Sequence, residues 1–507
     1  MYYNNRHLSQ GQYSSYLLAL LLGFNVLVFG AVDHFAQVIF HLIIMLLTTV
    51  LVVVSIIKND EIEVSTSTVF PLIILITLLL SYICSYTRWN SFPGLVNWIC
   101  YLLLFLYGHR GKQWKDVVIL NLVLTGMALS FIAVYQTVSS VMSYGKFIPA
   151  TATLMNPNIL AGFFVMMIPL IFALRESKTT AGKVEKILAL AVLSTGLVLT
   201  GSIGAMLSLV LAAGGYYYFK LKKGTAKTLL FAVLGGMVIA ILLVKGFDSV
   251  DITNRIHWWV VAGKMWISQI FTGIGIDNFD RYYQVYKIAG AENSVYAHSY
   301  YLQFLAECGI LAFFVLVLGL IMHLVRAVKN VPVFIALTTV LIHNTFEYNL
   351  LIPGIACIFW YLLGVSDDNK SVFKFNLSGI PKFCIATLVI GIICIPLFYD
   401  IQNFVIDVYN TRGEVRLASG EVLPAKNKFL KALYINPMHS RSLFNTGVAE
   451  YIEYKKILGS AIDDTPLVKA YLYEGYWERA KLIEPRYPFE RLIRSIVVGR
   501  KYEDNKY

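Results

Sequence analysis

At 507 residues the chain is long enough for two or three soluble domains. Its composition excludes that for most of the length: 57% of residues are hydrophobic and 14% charged, where a soluble domain carries about 25% charge. The formal net charge of +12 does not point to nucleic acid, because most of the basic excess sits in short loops between apolar runs, where it sets membrane topology.

Thirteen apolar runs recur down the chain, each close to the length of a transmembrane helix. They fall at roughly 14–32, 35–57, 68–86, 92–108, 116–138, 158–174, 186–202, 204–220, 227–245, 299–323, 331–348, 350–365 and 383–400. The fold class is therefore all-α, a polytopic membrane protein; a β-barrel would show short alternating segments instead. The first run follows Arg6 with no small-residue cleavage site after it, so it reads as a retained first helix.

Loops on one side carry Lys58; Arg110, Lys112 and Lys115; Arg175, Lys178, Lys183 and Lys186; Lys220, Lys222, Lys223 and Lys227; Arg326 and Lys329; and Lys370, Lys374 and Lys382. The short loops opposite offer little beyond Arg88 and Lys146. This alternation places the N-terminus in the cytoplasm and the C-terminus outside. The narrowest boundary is Gly201–Gly204, between the seventh and eighth runs. All six cysteines lie in apolar segments, so no disulfide framework is expected.

Three regions follow: N-terminal spans over 1–150, a core over 151–400 with an external loop at 246–298, and a small helical extracytoplasmic domain over 401–507. The last has 17 basic and 13 acidic residues, a soluble composition. Within it, Lys431-Ala432-Leu433-Tyr434-Ile435-Asn436-Pro437 resembles Arg479-Ala480-Lys481-Leu482-Ile483-Glu484-Pro485, with the alanines 48 residues apart. The pattern is similar to the end of a tetratricopeptide helix pair, whose period is 34. An insertion around Leu458–Leu467 is then needed, and the region becomes a candidate surface for a protein partner.

The external loop holds the candidate chemistry. Residues 254–272 contain Arg255, Trp258, Trp259, Lys264 and Trp266, which reads as a helix lying in the outer interface with its tryptophans at headgroup depth. It places an arginine where headgroup phosphates are found. Gly273-Ile274-Gly275 has neither the preceding strand nor the following helix of a nucleotide-binding turn. His298 at the mouth of the next span and Glu307 further in are costly in lipid, so each faces a cavity or a partner and is a functional candidate. Asp277 and Asp280 have poor spacing for a cation, and no metal site or cofactor is expected.

Taken together, Arg255 with Trp259, Gly273-x-Gly275 with Phe279, and His298 leading to Leu302 and Glu307-x-Gly309 resemble the signature of the O-antigen ligase and polymerase (Wzy-type) superfamily. Asn156-Pro157-Asn158-x-x-Ala161, followed by an apolar span with Pro169, resembles its upstream Pro-Asn motif. The likeness covers roughly 150–365. Ser299 and Ala312 depart from the usual Asn and Gly, and Lys146 stands where an arginine is common upstream.

The resemblance implies an integral-membrane glycosyltransferase. Such enzymes take a glycan from undecaprenyl diphosphate on the outer face of the inner membrane and attach it to an acceptor hydroxyl. The acceptor is lipid A core, a growing polysaccharide or a protein side chain. A metal is not implied. His298 then serves as base or orienter of the acceptor, a role suited to imidazole. Arg255 holds the diphosphate through its planar fork, with Lys264, Arg281 and Lys146 as helpers. His343, Asn344 and Glu347 are candidates for the acceptor cavity; Glu307, Gly309 and Asn158 are candidates for structural support. Two other classes compete. A flippase for lipid-linked glycans would show duplicated halves and broken helices near the midplane. A membrane scaffold would tolerate replacement of Arg255 and His298.

Overall fold

The computed structural model describes the chain apart from residues 1–9, 29, 31–33, 59–60, 112–114, 175–178, 222–223, 225–248, 368–371, 378–380, 459–474 and 485–507. The described residues form an all-α membrane protein. The N-terminal half contributes α1 (Gln10–Leu27), α2 (His34–Lys58), α3 (Val69–Ile83), α4 (Arg88–Arg110), α5 (Lys115–Tyr144), α6 (Pro157–Leu170), α7 (Thr180–Leu199) and α8 (Ile203–Lys220). After it come α9 (Ser249–Ser268), α10 (Phe279–Tyr286), α11 (Tyr300–Ala327), α12 (Val331–His343), α13 (Pro353–Ser366) and α14 (Lys382–Ala418). The chain closes with α15 (Val422–Ile435), α16 (Ser440–Leu458) and α17 (Gly475–Ile483).

Twelve of the thirteen expected spans fall on helices; the ninth, at 227–245, lies outside the described residues. Six described segments are long and apolar enough to cross a bilayer unaided: His34–Lys58, Thr66–Ile83, Arg88–Arg110, Lys115–Tyr144, Tyr300–Ala327 and Lys382–Ala418. The Gly201–Gly204 boundary is real, because α7 ends at Leu199, Gly201 turns with φ +63°, and α8 begins at Ile203.

Burial follows apolarity. Helices α6 and α13 are apolar all round, and every residue of α13 is buried, as expected of helices wrapped by others rather than by lipid. By contrast α3, α5 and α14 leave Leu72, Ile76, Leu124, Phe131, Leu388 and Ile392 exposed, the faces that lipid covers.

Contacts show that alternate helices start at one end of the bundle. Gln37 of α2 accepts from Asn97 of α4 at 3.1 Å. Asn158 of α6 donates to Glu347 at 2.8 Å. The Tyr300 amide at the start of α11 donates to the Asn344 and Glu347 carbonyls. Gly204 of α8 lies against Phe346. The same end receives α9, α10 and the C-terminal helices, since Trp89 donates to Glu484 at 2.7 Å.

Three features depart from the sequence expectations. First, β1 (Glu61–Ser65) pairs antiparallel with β2 (Val372–Asn376), in the register Glu61↔Asn376 to Ser65↔Val372, a small two-stranded sheet beside the helices of the described residues. Second, α14 runs through the expected boundary at 400/401 as one helix of 37 residues. Its outer part packs with α15 and α16, so the C-terminal region begins inside the last span's own helix. The two repeat alanines, Ala432 and Ala480, are both fully buried; the insertion expected near Leu458–Leu467 falls almost wholly outside the described residues.

Third, α11 is broken. Gly309 has φ +75° and ψ 177° inside the helix, a conformation that L-residues rarely adopt. A Cβ there would strike the Phe271 carbonyl. The break frees backbone groups that 270–275 then satisfies. Ile310 N–H donates to Ile270 O at 2.9 Å, Ile274 N–H to Ala306 O at 3.0 Å, and Gly275 N–H to Glu307 O at 2.9 Å. Non-helical backbone at such a place is tolerated only when buried in protein or lining a cavity.

Candidate active site

Helix α9 begins the site. Its inner face, Trp258, Val261, Ala262 and Met265, packs with Ile274, Phe279, Tyr282, Tyr283 and Ala297 in a small core of its own. Trp258 is therefore a core residue, not the headgroup anchor the sequence suggested, and its indole donates to the Glu292 carbonyl at 3.1 Å. The outward stripe is aliphatic instead: Ile252, Ile256, Val260 and Ile267 are exposed. Four-residue spacing keeps such positions on one helix face.

Arg255 lies at the edge of the inner face and points to the loop after α12. Its Nη2 donates to Glu347 Oε1 at 2.9 Å, its Nε to Asp251 Oδ2 at 3.2 Å, and its Nη1 to the Phe346 carbonyl. Three of the five guanidinium N–H donors are engaged, which leaves two. Burial disfavours the charge, but Glu347 and Asp251 more than offset it and raise the pKa above the ordinary arginine value.

Glu347 is the hub. Besides Arg255 it accepts from Asn158 Nδ2 at 2.8 Å, and its Oε2 lies 3.6 Å from His298 Nδ1. Its carboxylate is only 2% exposed. Burial alone would raise its pKa; His298 and Arg255 outweigh burial and hold it below the usual carboxylate range. Asn158 is placed by its own motif. Asn156 caps α6 through its side chain, which accepts from the Asn158 and Ile159 amides, and Pro157 opens the helix.

His298 is held by rings. It stacks on Trp258 with centroids 4.5 Å apart at 25°, and meets Tyr348 edge-on at 4.9 Å. Its backbone φ is +49°, costly for a residue with a Cβ and a mark of a position fixed by its surroundings. With Nδ1 turned to Glu347, Nε2 is the nitrogen left for a substrate.

The other expected residues separate. Glu307, a structural candidate, is buried just above the α11 break and accepts from Phe279 N–H at 3.1 Å and Gln303 Nε2 at 3.0 Å. Gly309 makes the break itself. Lys264 is exposed and nine residues from Arg255; two and a half turns put it on the opposite side of α9, about 13 Å along. Lys146 is exposed in the loop after α5. Arg281 turns away to Glu484, at 2.6 and 3.0 Å, and lies over the Trp89 ring at 4.7 Å. None of these three joins Arg255. His343 and Asn344 are fully buried. Asn344 is consumed by the Val340 carbonyl and the Leu350 amide, and His343 packs edge-on against Phe346. Both support the turn that presents Glu347 rather than lining a cavity.

Sequence reasoning missed a cavity of about 420 Å³. Its walls include Gln37, Asn97, Trp98, Asp277, Asp280, Tyr296, Gln303 and Glu307. Tyr296 links it to the polar cluster, stacking on Tyr348 at 4.1 Å and 14°. The Asp277 carboxyl lines this recess on a residue that is itself exposed, and desolvation by the neighbouring protein raises it to about 6. The Tyr296 phenol is pushed up to about 12, first by burial and then by Asp277, Asp280 and Glu307.

Residues 188–317 match the family model described as O-antigen ligase. The match contains α9, the 270–275 segment, His298 and the α11 break, with Arg255 and Gly309 inside it. Over this segment, about a quarter of its length, the chain is similar to the O-antigen ligase family. No curated protein matches the chain. The matched superfamily comprises membrane glycosyltransferases, and the arrangement suits such chemistry: a fixed cation, a histidine oriented by a buried carboxylate, and a polar recess beside them. Glu347 and Asn158 lie outside the O-antigen ligase match, on either side of it.

Proposed function

We infer that the protein transfers a glycan from undecaprenyl diphosphate to an acceptor hydroxyl on the outer face of the inner membrane. The acceptor is a lipid A core sugar or a growing polysaccharide; a polymerase or a protein-directed oligosaccharyltransferase of the same superfamily would use the same residues. The observation that carries the reading is the Glu347 hub, which holds Arg255 and His298, residues 43 positions apart in sequence, around one carboxylate.

The reaction follows from the groups. Glu347 faces Nδ1 and favours the tautomer in which Nε2 is the free base. Nε2 takes the proton of the acceptor hydroxyl as its oxygen attacks the anomeric carbon. The bond from that carbon to the diphosphate oxygen breaks, and the electron pair leaves on the diphosphate. Attack opposite the leaving group inverts the anomeric centre. The two free N–H donors of Arg255 meet the charge that develops on the diphosphate, in a site with little water. The topology read from the basic loops puts this end of the bundle outside the cytoplasm, with the C-terminal helices.

The test is glycan transfer in proteoliposomes with purified lipid-linked donor and the acceptor in excess, beside a donor-binding assay. Arg255→Ala is expected to lose transfer and to weaken donor binding. Unchanged donor affinity in this variant would remove Arg255 from the diphosphate. Because Arg255 supplies the counter-charge, transfer should also withstand EDTA; activity lost to EDTA and restored by Mg²⁺ would count against that role.

A further inference from the structure

The cavity behind Tyr296 has no part in the step just described. It lies between the α4 helix, the start of α11, the Asp277 turn and residues 350–353. Its volume of about 420 Å³ is within the roughly 300–1,000 Å³ of small-molecule sites. Aromatic faces from Trp98, Tyr296 and Tyr300 alternate with planar amides and carboxylates. Flat aromatic surface and fixed planar acceptors and donors are the two things a polyhydroxylated ring can use: its C–H faces pack on the rings and its hydroxyls bond to amide and carboxylate.

The charge of the lining narrows the ligand. Asp277 and Asp280 bring carboxylates to the cavity, and among the described residues neither lysine nor arginine lines it. Arg281, next to Asp280 in sequence, is directed to Glu484. A phosphate or a uronate entering here would meet like charge with no cation to offset it, a direct device against acidic ligands. The diphosphate therefore belongs with Arg255, and what fills the cavity is the part of the substrate without phosphate. The stack from Tyr296 to Tyr348 to His298 sets the cavity beside the base that accepts the hydroxyl proton.

Resting on the transferase reading above, we propose that this cavity binds a sugar of the acceptor glycan and selects neutral or amino sugars over acidic ones. The α11 break belongs to this design, since Gly309 turns Glu307 and Cys308 into the cavity wall and Gly275 holds the Glu307 carbonyl from the other side.

The test reads binding without transfer. Saturation-transfer NMR on the full chain in nanodiscs would use three free disaccharides: neutral cellobiose, cationic di-glucosamine and anionic di-galacturonate. Cellobiose and di-glucosamine are expected to bind, and di-galacturonate to bind about tenfold more weakly or worse, as one unscreened like charge a few ångströms away suffices for that. The double variant Asp277→Asn/Asp280→Asn should bring di-galacturonate to within a few-fold of cellobiose. Val295→Trp, which fills the exposed lip of the cavity, should abolish binding of all three. Added undecaprenyl diphosphate should displace none of them. Equal binding of di-galacturonate by the parent, no binding of cellobiose, indifference to both variants, or displacement by undecaprenyl diphosphate would each overturn the proposal. If the sugars bind as expected while His298→Ala transfers glycan at the parent rate, the cavity assignment stands and the catalytic reading falls.

Discussion

Around Glu347 charges are matched: Arg255 against Glu347 and Asp251, His298 against Glu347, and Asn158 on the same carboxylate oxygen as Arg255. One aromatic pair away, the cavity gathers carboxylates, with no cation among its described lining residues. The first arrangement holds side chains in place for a charged transition state; the second repels charge and leaves hydroxyl chemistry. The contrast assigns the two halves of one substrate pair to two neighbouring electrostatic environments, which a single uniformly basic site would not separate.

The most severe way to break the contrast is at His298. General acid–base help is worth about 10²–10⁴-fold, so His298→Ala should lose that much transfer while binding of the lipid-linked donor changes little. His298→Asn is the sharper variant, since Asn tolerates the left-handed backbone found there and isolates the lost base from any backbone strain. Parent-level turnover in His298→Asn would leave His298 as packing for Trp258. Next is Glu347→Gln, which keeps the shape and removes the charge that Arg255 and His298 share. Breaking a buried pair from one side costs about 3–5 kcal/mol, so thermal unfolding in detergent should fall measurably and transfer with it. An unchanged Tm would mean that Asp251 alone suffices for Arg255.

Arg255→Lys is a milder cut. It keeps the charge but loses the fork that engages Glu347, Asp251 and the Phe346 carbonyl together, so about tenfold lower turnover is expected at saturating acceptor. The smallest effect is on the acidic side. Asp277 is raised to about 6 in the folded protein by desolvation, above its unfolded value near 3.9. The folded state thus holds this proton more tightly, and stability falls as pH rises from about 4 to 6. Because Asp277 is exposed, solvent screening discounts this contribution, and Asp277→Asn should unfold only slightly higher than the parent at pH 8 and at the same temperature below pH 4. Its backbone φ of +57° suits Asn. A Tm difference that did not vary between those pH values would place Asp277 in ordinary solvent.

Much of this was legible in the chain, and the rest was hidden for physical reasons. Hydropathy located twelve of the spans because lipid imposes length and apolarity on each span separately. Arg255 and His298 were legible because they are ionisable residues in an external motif. Glu347 stood out as a carboxylate at the end of a span, yet its partners, 92 and 49 residues upstream, are joined to it only by the fold. The cavity was not legible at all. Trp98, Gln303 and their neighbours sit in apolar runs where composition cannot tell a lipid-facing ring from a cavity wall. The α11 break was masked in the same way, because Gly309 interrupts no apolar run; only the neighbouring Gly273-x-Gly275 segment explains how its backbone is satisfied. The β1–β2 pair was missed because Glu-Ile-Glu-Val-Ser and Val-Phe-Lys-Phe-Asn alternate over just five residues each, beside charged loops.

The contact of Arg281 and Trp89 with Glu484 has a consequence for anyone who shortens this protein. Glu484 is almost fully buried, and it also accepts from Ser440 at the head of α16. Removing the C-terminal helices would therefore do more than delete a surface. It would remove the Glu484 carboxylate from the Arg281 guanidinium, which is only 14% exposed and one residue from a wall of the cavity. A truncated protein that lost activity would report on a loosened Asp280–Arg281 turn as much as on a missing docking module. Glu484→Gln in the full-length chain separates the two.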